Sequence, residues 1–198
     1  MNQKTRRLAE TAVMLAVAVI LSLPMLKFKG LWAMGGSVSF GRFVPIIIIG
    51  YKYGPKWGAF TGFALSVLNL LISGFAELLS YGVSWQAVTA SVILEYLFAS
   101  ALIGYAAGLC SKWSKKSVSV SLATGAVLGL FLRFLCLFVA GIIIWGYWTG
   151  GQKDTFLATV IYSFVYNISY MLPETIIAAV ECFVLASIPA VKKLIQAK

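Results

Sequence analysis

The sequence predicts an all-α membrane protein of six transmembrane helices, folded as one domain over residues 1–198. Three observations carry this. Of the 198 residues, 61% are hydrophobic and 11% charged, and the mean hydropathy is +0.93, far more apolar than a soluble domain requires. A spanning helix takes roughly 20 residues, so the length holds about six spans with their loops and no separate nucleotide-binding or catalytic domain. The basic residues are also distributed unevenly between the two ends of those spans.

The apolar segments run Leu8–Met25, Phe40–Tyr51, Ala59–Ser73, Ala87–Cys110, Ser121–Trp145 and Thr155–Val191. The first follows Arg6 and Arg7 as a signal peptide's apolar core would, but it leads into further spans without a convincing small-residue cleavage site, so it reads as a retained helix. The second is short for a full crossing. It is expected to be tilted, shielded by neighbours, or preceded by a re-entrant loop. The last is too long for one straight span, and Pro173 and Pro189 predict a break or an interfacial end.

With six spans and the N-terminus inside, both termini are cytoplasmic. Eleven basic residues then lie inside: Lys4, Arg6, Arg7, Lys52, Lys56, Lys112, Lys115, Lys116, Lys192, Lys193 and Lys198. Four lie outside: Lys27, Lys29, Arg42 and Lys153. This is the positive-inside bias, and it accounts for most of the formal charge of +10. A basic balance can signal nucleic acid, but charges at helix ends and turns speak for topology and anionic lipid headgroups.

Several chemistries are excluded. The chain contains no histidine, so Ser-His and Cys-His pairs, His-ligated metals and His proton relays are unavailable. Cys110, Cys136 and Cys182 are far apart and read as small apolar packing residues. There is no P-loop and no dinucleotide fingerprint. No enzyme is expected, and no cofactor.

What remains are polar groups at membrane depth. Glu95, in "SVILEYLFAS", sits mid-span beside Tyr96. An unpaired carboxylate there costs several kcal/mol, so it needs a partner. Two are open to it: Arg133 in the fifth span, as a structural ion pair, or a cationic ligand held beside aromatic rings. Arg133, Leu137, Gly141 and Trp145 recur every four residues and share one face of the fifth span. On it Gly141 clears space, and Trp145 is either an interfacial anchor or a ligand platform. In "YSFVYNISYMLPE" (162–174), Tyr162, Tyr166 and Tyr170 share a face. Asn167 lies about 140° round the helix from Tyr162, so both reach one ligand only if it lies across the helix end.

Four stretches, in order, resemble the thiamine-specific substrate-binding (S) component of energy-coupling factor (ECF) transporters. They are "GGSVSFGRFVPIIIIGYKYGPKWGAFTGF" (35–63), "LEY" (94–96), "RFLCLFVAGIIIWG" (133–146) and "YSFVYNISYMLPE". The resemblance implies a six-helix membrane bundle in a bacterial cell membrane that captures thiamine, or a related cationic vitamin, from outside. It implies that Glu95 and Tyr96 contact the ligand, that Trp145 is an aromatic platform, and that Tyr162 and Asn167 add polar contacts. The site would lie near the outer face under the loop Lys27–Phe40, whose Gly30, Gly35 and Gly36 let it bend, with Trp32 and Trp85 as further walls. Thiamine's cationic thiazolium would explain how Glu95 stays charged. The family pattern has a histidine where this chain has Leu137, so either the site is weakened or the substrate is a more apolar relative.

In the first helix Ala12 and Ala16 form a small-xxx-small pair. An alanine-rich helix produces such pairs by chance, but in the S components the corresponding alanines dock onto a membrane coupling subunit that works with two ATPase subunits, after which the loaded component topples to release vitamin inside. A stand-alone channel or facilitator, and a structural membrane protein in which Glu95 merely pairs with Arg133, are the competing readings.

Overall fold

The computed structural model describes residues 2–28, 36–113, 117–151 and 153–196. Among these, seven helical runs follow one another. They are α1 (Gln3–Leu21), α2 (Val44–Tyr53), α3 (Pro55–Ser80), α4 (Trp85–Trp113), α5 (Val118–Trp148), α6 (Phe156–Ser187) and α7 (Pro189–Gln196). Between α1 and α2, two short antiparallel strands, β1 (Lys27–Phe28) and β2 (Val38–Ser39), pair Lys27 with Ser39 and Phe28 with Val38. Three of the long helices begin at a side-chain cap: Ser84, Ser117 and Thr155 accept from the backbone N–H of Ala87, Val120 and Ala158.

Four helices, α3 to α6, are long and apolar enough to cross a membrane. α1 carries Lys4, Arg6, Arg7 and Glu10 in its opening turns, and α2 has ten residues, about 15 Å. The six expected elements are therefore all present, but length and composition establish four crossings. Large apolar side chains such as Phe131, Leu172, Ile176 and Val180 point outward and are about half exposed, the surface of a bundle built to face lipid.

α2 is the shielded element. Every residue from Val44 to Gly50 is buried, and so is Lys52. Lys52 Nζ donates to Glu10 Oε2 at 2.6 Å, and the same carboxylate accepts from Tyr53 Oη at 2.7 Å and Arg6 Nε at 2.9 Å. This fastens the start of α1 to the end of α2. Lys52 is thus an internal ion-pair partner rather than only a topology marker, and Arg42 is another, as shown below.

Glycines draw α2, α3 and α4 together. A Cβ on Gly58 would strike the Gly104 carbonyl, and one on Gly104 would strike that of Gly58; a Cβ on Gly50 would also meet Gly104. Each belongs to a four-residue glycine spacing (Gly50–Gly54, Gly58–Gly62, Gly104–Gly108). In lipid, where apolar burial drives little association, such close backbone contact is a main source of helix packing. The core lies between these helices, α5 and α6, around Ile46, Ile47, Ile103, Leu122, Leu130 and Met171.

The expected break at Pro173 does not occur: α6 runs unbroken from Phe156 to Ser187 through it. In lipid, unravelling would expose several backbone groups at once, whereas a proline removes a single ladder hydrogen bond. The helix ends instead at Ile188, which adopts extended backbone (φ −72°, ψ 122°) ahead of Pro189.

Candidate ligand-binding site

Where α3 ends, α4 begins, α5 ends and α6 begins, the helices splay around a cavity of about 180 Å³. Each of α3, α4 and α5 contains a π-helical stretch there: Leu70–Gly74, Val92–Phe98 and Ile143–Trp148. A π turn inserts a residue, re-aims the side chains beyond it and is frequent at functional sites. Glu95 and Tyr96 lie within the second stretch and Trp145 within the third, and all three line the cavity. Backbone oxygens in the widened turn find partners: Ser66 Oγ donates to Tyr96 O at 2.7 Å and Arg133 Nη1 to Glu95 O at 3.2 Å. Gly74 leaves room for the Tyr96 ring, which a Cβ there would approach to 2.9 Å.

The expected face of α5 is present, since Arg133, Leu137, Gly141 and Trp145 all line the cavity. Trp145 Nε1 donates to Glu95 Oε1 at 2.7 Å, and its ring meets that of Tyr81 edge-on at 5.5 Å. The Arg133 guanidinium serves the Glu95 main chain and, at 3.1 Å, Ser100 Oγ, rather than the Glu95 carboxylate. Its Nε is buried and has no hydrogen-bond partner among the described residues. Gly141 clears space for a neighbouring helix as well as lining the cavity. The space its absent Cβ would fill is taken by Ser163 Oγ, with Asn167 Nδ2 3.2 Å away, so it permits close approach of α5 and α6.

α6 contributes Tyr162, Ser163, Tyr166, Asn167 and Tyr170. At about 100° per residue these cover an arc of roughly 140°. The cavity is wide enough to meet the whole arc, so Tyr162 and Asn167 both reach it without a ligand lying across the helix end. The tyrosines form a ladder, with ring centroids 6.1 Å apart for Tyr162–Tyr166 and 5.6 Å for Tyr166–Tyr170. Asn167 is a bracket. Its Nδ2 donates to Ser163 O at 2.9 Å, and its Oδ1 accepts from Tyr170 Oη at 2.6 Å, which leaves one acceptor lone pair for anything in the cavity.

Of the two further walls expected, one is placed elsewhere. Trp85 is exposed at the start of α4, tilted against Phe75 at 6.3 Å, and does not line the cavity. It sits in the first turn of the helix at the surface, where an indole has a place without a ligand. Trp32 lies outside the described residues.

Other groups were missed. Glu77 and Tyr81, one turn apart at the end of α3, line the cavity. Burial, helped by the Glu77 carboxylate, pushes the Tyr81 phenol up to about 12, so it stays a neutral donor. Lys27, Gly36, Ser37 and Arg42 enter from the segment ahead of α2. That segment is fixed to α6 at two places. Gly36 N donates to Tyr166 Oη at 3.1 Å. The buried Glu174 carboxylate accepts from Ser39 N at 2.8 Å, Ser39 Oγ at 2.7 Å and Arg42 Nε at 3.1 Å. The only sequence signal for Glu174 was a carboxylate directly after a proline in an apolar helix.

A family model described as "Thiamine transporter protein" matches residues 8–194. The thiamine transporter ThiT of Bacillus subtilis is 31% identical over 204 residues, covering 98% of each chain. A solved structure of ThiT from Listeria monocytogenes superposes with a TM-score of 0.65 at 20% identity, over 96% of this chain and 98% of that one, which establishes the shared helical fold.

Proposed function

We infer the function from one premise: the chain belongs to the thiamine transporter protein family. It is a membrane transport protein and not an enzyme. On our reading it is the substrate-capture (S) subunit of an ECF-type transporter, with both termini cytoplasmic in a bacterial cell membrane. It binds thiamine from outside and hands it inward with a coupling subunit and two ATPase subunits.

The observation that carries this reading is the state of Glu95. Its carboxylate is oriented by a neutral indole N–H, while the nearby guanidinium is committed to a main-chain oxygen and a serine. A carboxylate so placed, with Tyr96, Trp145 and the Tyr162–Tyr166–Tyr170 ladder around the same cavity, is a receptor for a flat organic cation. Thiamine's thiazolium is such a cation. The competing structural pair is not supported, because the Glu95 carboxylate and Arg133 serve different partners.

Docking of a coupling subunit is supported by α1. Ala12 and Ala16 are exposed, so the small pair is not consumed by packing inside the bundle. Beside it an apolar groove runs between α1 and α6 over α2, lined by Val13, Val17, Ile48 and Val184. One observation favours a second substrate. Leu137 is buried in the cavity wall at 8% exposure and presents only hydrocarbon, which suits a relative of thiamine with an apolar group at that point.

Titration of the purified protein with thiamine, followed by quenching of its six tryptophans, tests the capture reading. Saturation at submicromolar thiamine supports it; passive flux of thiamine through liposomes holding this chain alone would instead indicate a facilitator. Leu137→His separates the substrates. Tighter thiamine binding, by up to about tenfold for one added hydrogen bond, marks a weakened thiamine site, whereas loss of a different co-purifying vitamin, identified by mass spectrometry, marks a changed one.

A further inference from the structure

Glu174 has no part in the proposed ligand contacts, yet it is among the most completely buried large side chains, at 2% exposure. Among the described residues, the three donors to its carboxylate come from one short stretch, Ser39 to Arg42, that lies 132 to 135 residues away in sequence. The same stretch leads to residues that wall the cavity. Ser39 pairs with Lys27 across the strands, and Lys27, Gly36, Ser37 and Arg42 all line the cavity. Two turns nearer the start of α6, Tyr166 Oη accepts from Gly36 N, and its ring stacks against that of Tyr162.

A carboxylate buried among apolar helices is costly unless charged or polar donors satisfy it. Glu174 has three, of which one is a backbone N–H and one a guanidinium. Neither a neutral amide nor a shorter acid reproduces this, because an amide offers one oxygen where the site needs two acceptors. The arrangement connects α6 to the segment that leads into α2. What it fixes is the position of one cavity wall relative to the tyrosine ladder.

We propose that Glu174 is a positioning residue for ligand retention: it holds the 36–42 segment against α6, so that release of a bound ligand requires these hydrogen bonds to break. The part concerning ligand rests on the capture reading above. The part concerning the segment does not.

The experiment uses the full-length protein in detergent and the variants Glu174→Gln and Ser39→Ala, with two readouts. Without ligand, amide hydrogen exchange across 36–42 is protected in the wild type and accelerates about tenfold or more in Glu174→Gln, for loss of a charge-assisted pair, with a smaller rise in Ser39→Ala. With thiamine, the dissociation rate rises by a similar factor while the association rate changes less than about threefold, since binding-site variants act mainly on release. A glutamate that only stabilises the fold would leave both rates alone, whatever its effect on the melting temperature. If Glu174→Gln does not fold, Ser39→Ala carries the test. Unchanged exchange across 36–42 in a folded variant overturns the proposal. Failure of the wild type to bind thiamine overturns the capture reading, and the exchange measurement still decides the role of Glu174.

Discussion

Two acids, half-buried Glu95 on α4 and fully buried Glu174 on α6, stand in opposite surroundings. Glu174 is saturated, with Ser39 N, Ser39 Oγ and Arg42 Nε on its two oxygens. Glu95 receives a neutral indole N–H from Trp145, has the Arg133 guanidinium nearby on its own main-chain oxygen, and lines the cavity. A carboxylate in lipid-flanked protein needs compensation; Glu174 finds it within the chain, and on our reading Glu95 completes it with a cationic guest. Position inside the bundle alone therefore does not distinguish an acid that holds a segment in place from one open to a ligand. The number and charge of the donors does.

The contrast is broken or sharpened by substitution at each acid. Glu95→Gln has the largest expected effect: thiamine affinity falls by about 3 kcal/mol, roughly 150-fold, for loss of a charge-assisted contact, with the ligand-free melting temperature nearly unchanged. Calorimetric titration and thermal unfolding, run side by side, check both halves. Glu174→Gln reverses the balance, removing about 2 kcal/mol of stability because donors lose an acceptor in a buried place; the melting temperature falls by several degrees. Trp145→Phe keeps the ring and removes the donor to Glu95, and about 1 kcal/mol of affinity goes with it. Tyr162→Phe is the smallest change. Its ring is half exposed, and loss of the hydroxyl lowers affinity by about 0.5 kcal/mol. A Tyr162→Phe loss equal to that of Glu95→Gln would erase the distinction between charge and ordinary polar contact.

Much of this was legible in the sequence where helices are regular. The face Arg133–Leu137–Gly141 follows from a period of four residues, and it lines the cavity because α5 keeps helical geometry from Val118 to Ile142; Trp145, in the π stretch beyond, lines it too. The six apolar segments likewise correspond to helices, since hydropathy reports what faces lipid. Where local pattern and tertiary pairing part company, the reading failed. Pro173 signals a break locally, but a helix surrounded by lipid has no better place for its backbone groups. Gly141 reads as cavity space on one helix, and its second use, as packing space, shows only when α6 brings Ser163 against it. Glu174 could not be paired with Ser39 and Arg42 from a single sequence, because nothing local connects positions more than 130 residues apart. The four-residue glycine spacings of α2, α3 and α4 were on the page as sequence, and only the fold shows that their backbones meet.

The central claim is that Glu95 holds a charge reserved for a cation. The direct measurement is a binding comparison of thiamine with a neutral isostere whose five-membered ring lacks the positive charge, made on wild type and on Glu95→Gln. A reserved charge predicts that the wild type prefers the cation by about 100-fold and that Glu95→Gln loses most of that preference. Equal preference in the two proteins, or none in the wild type, contradicts it.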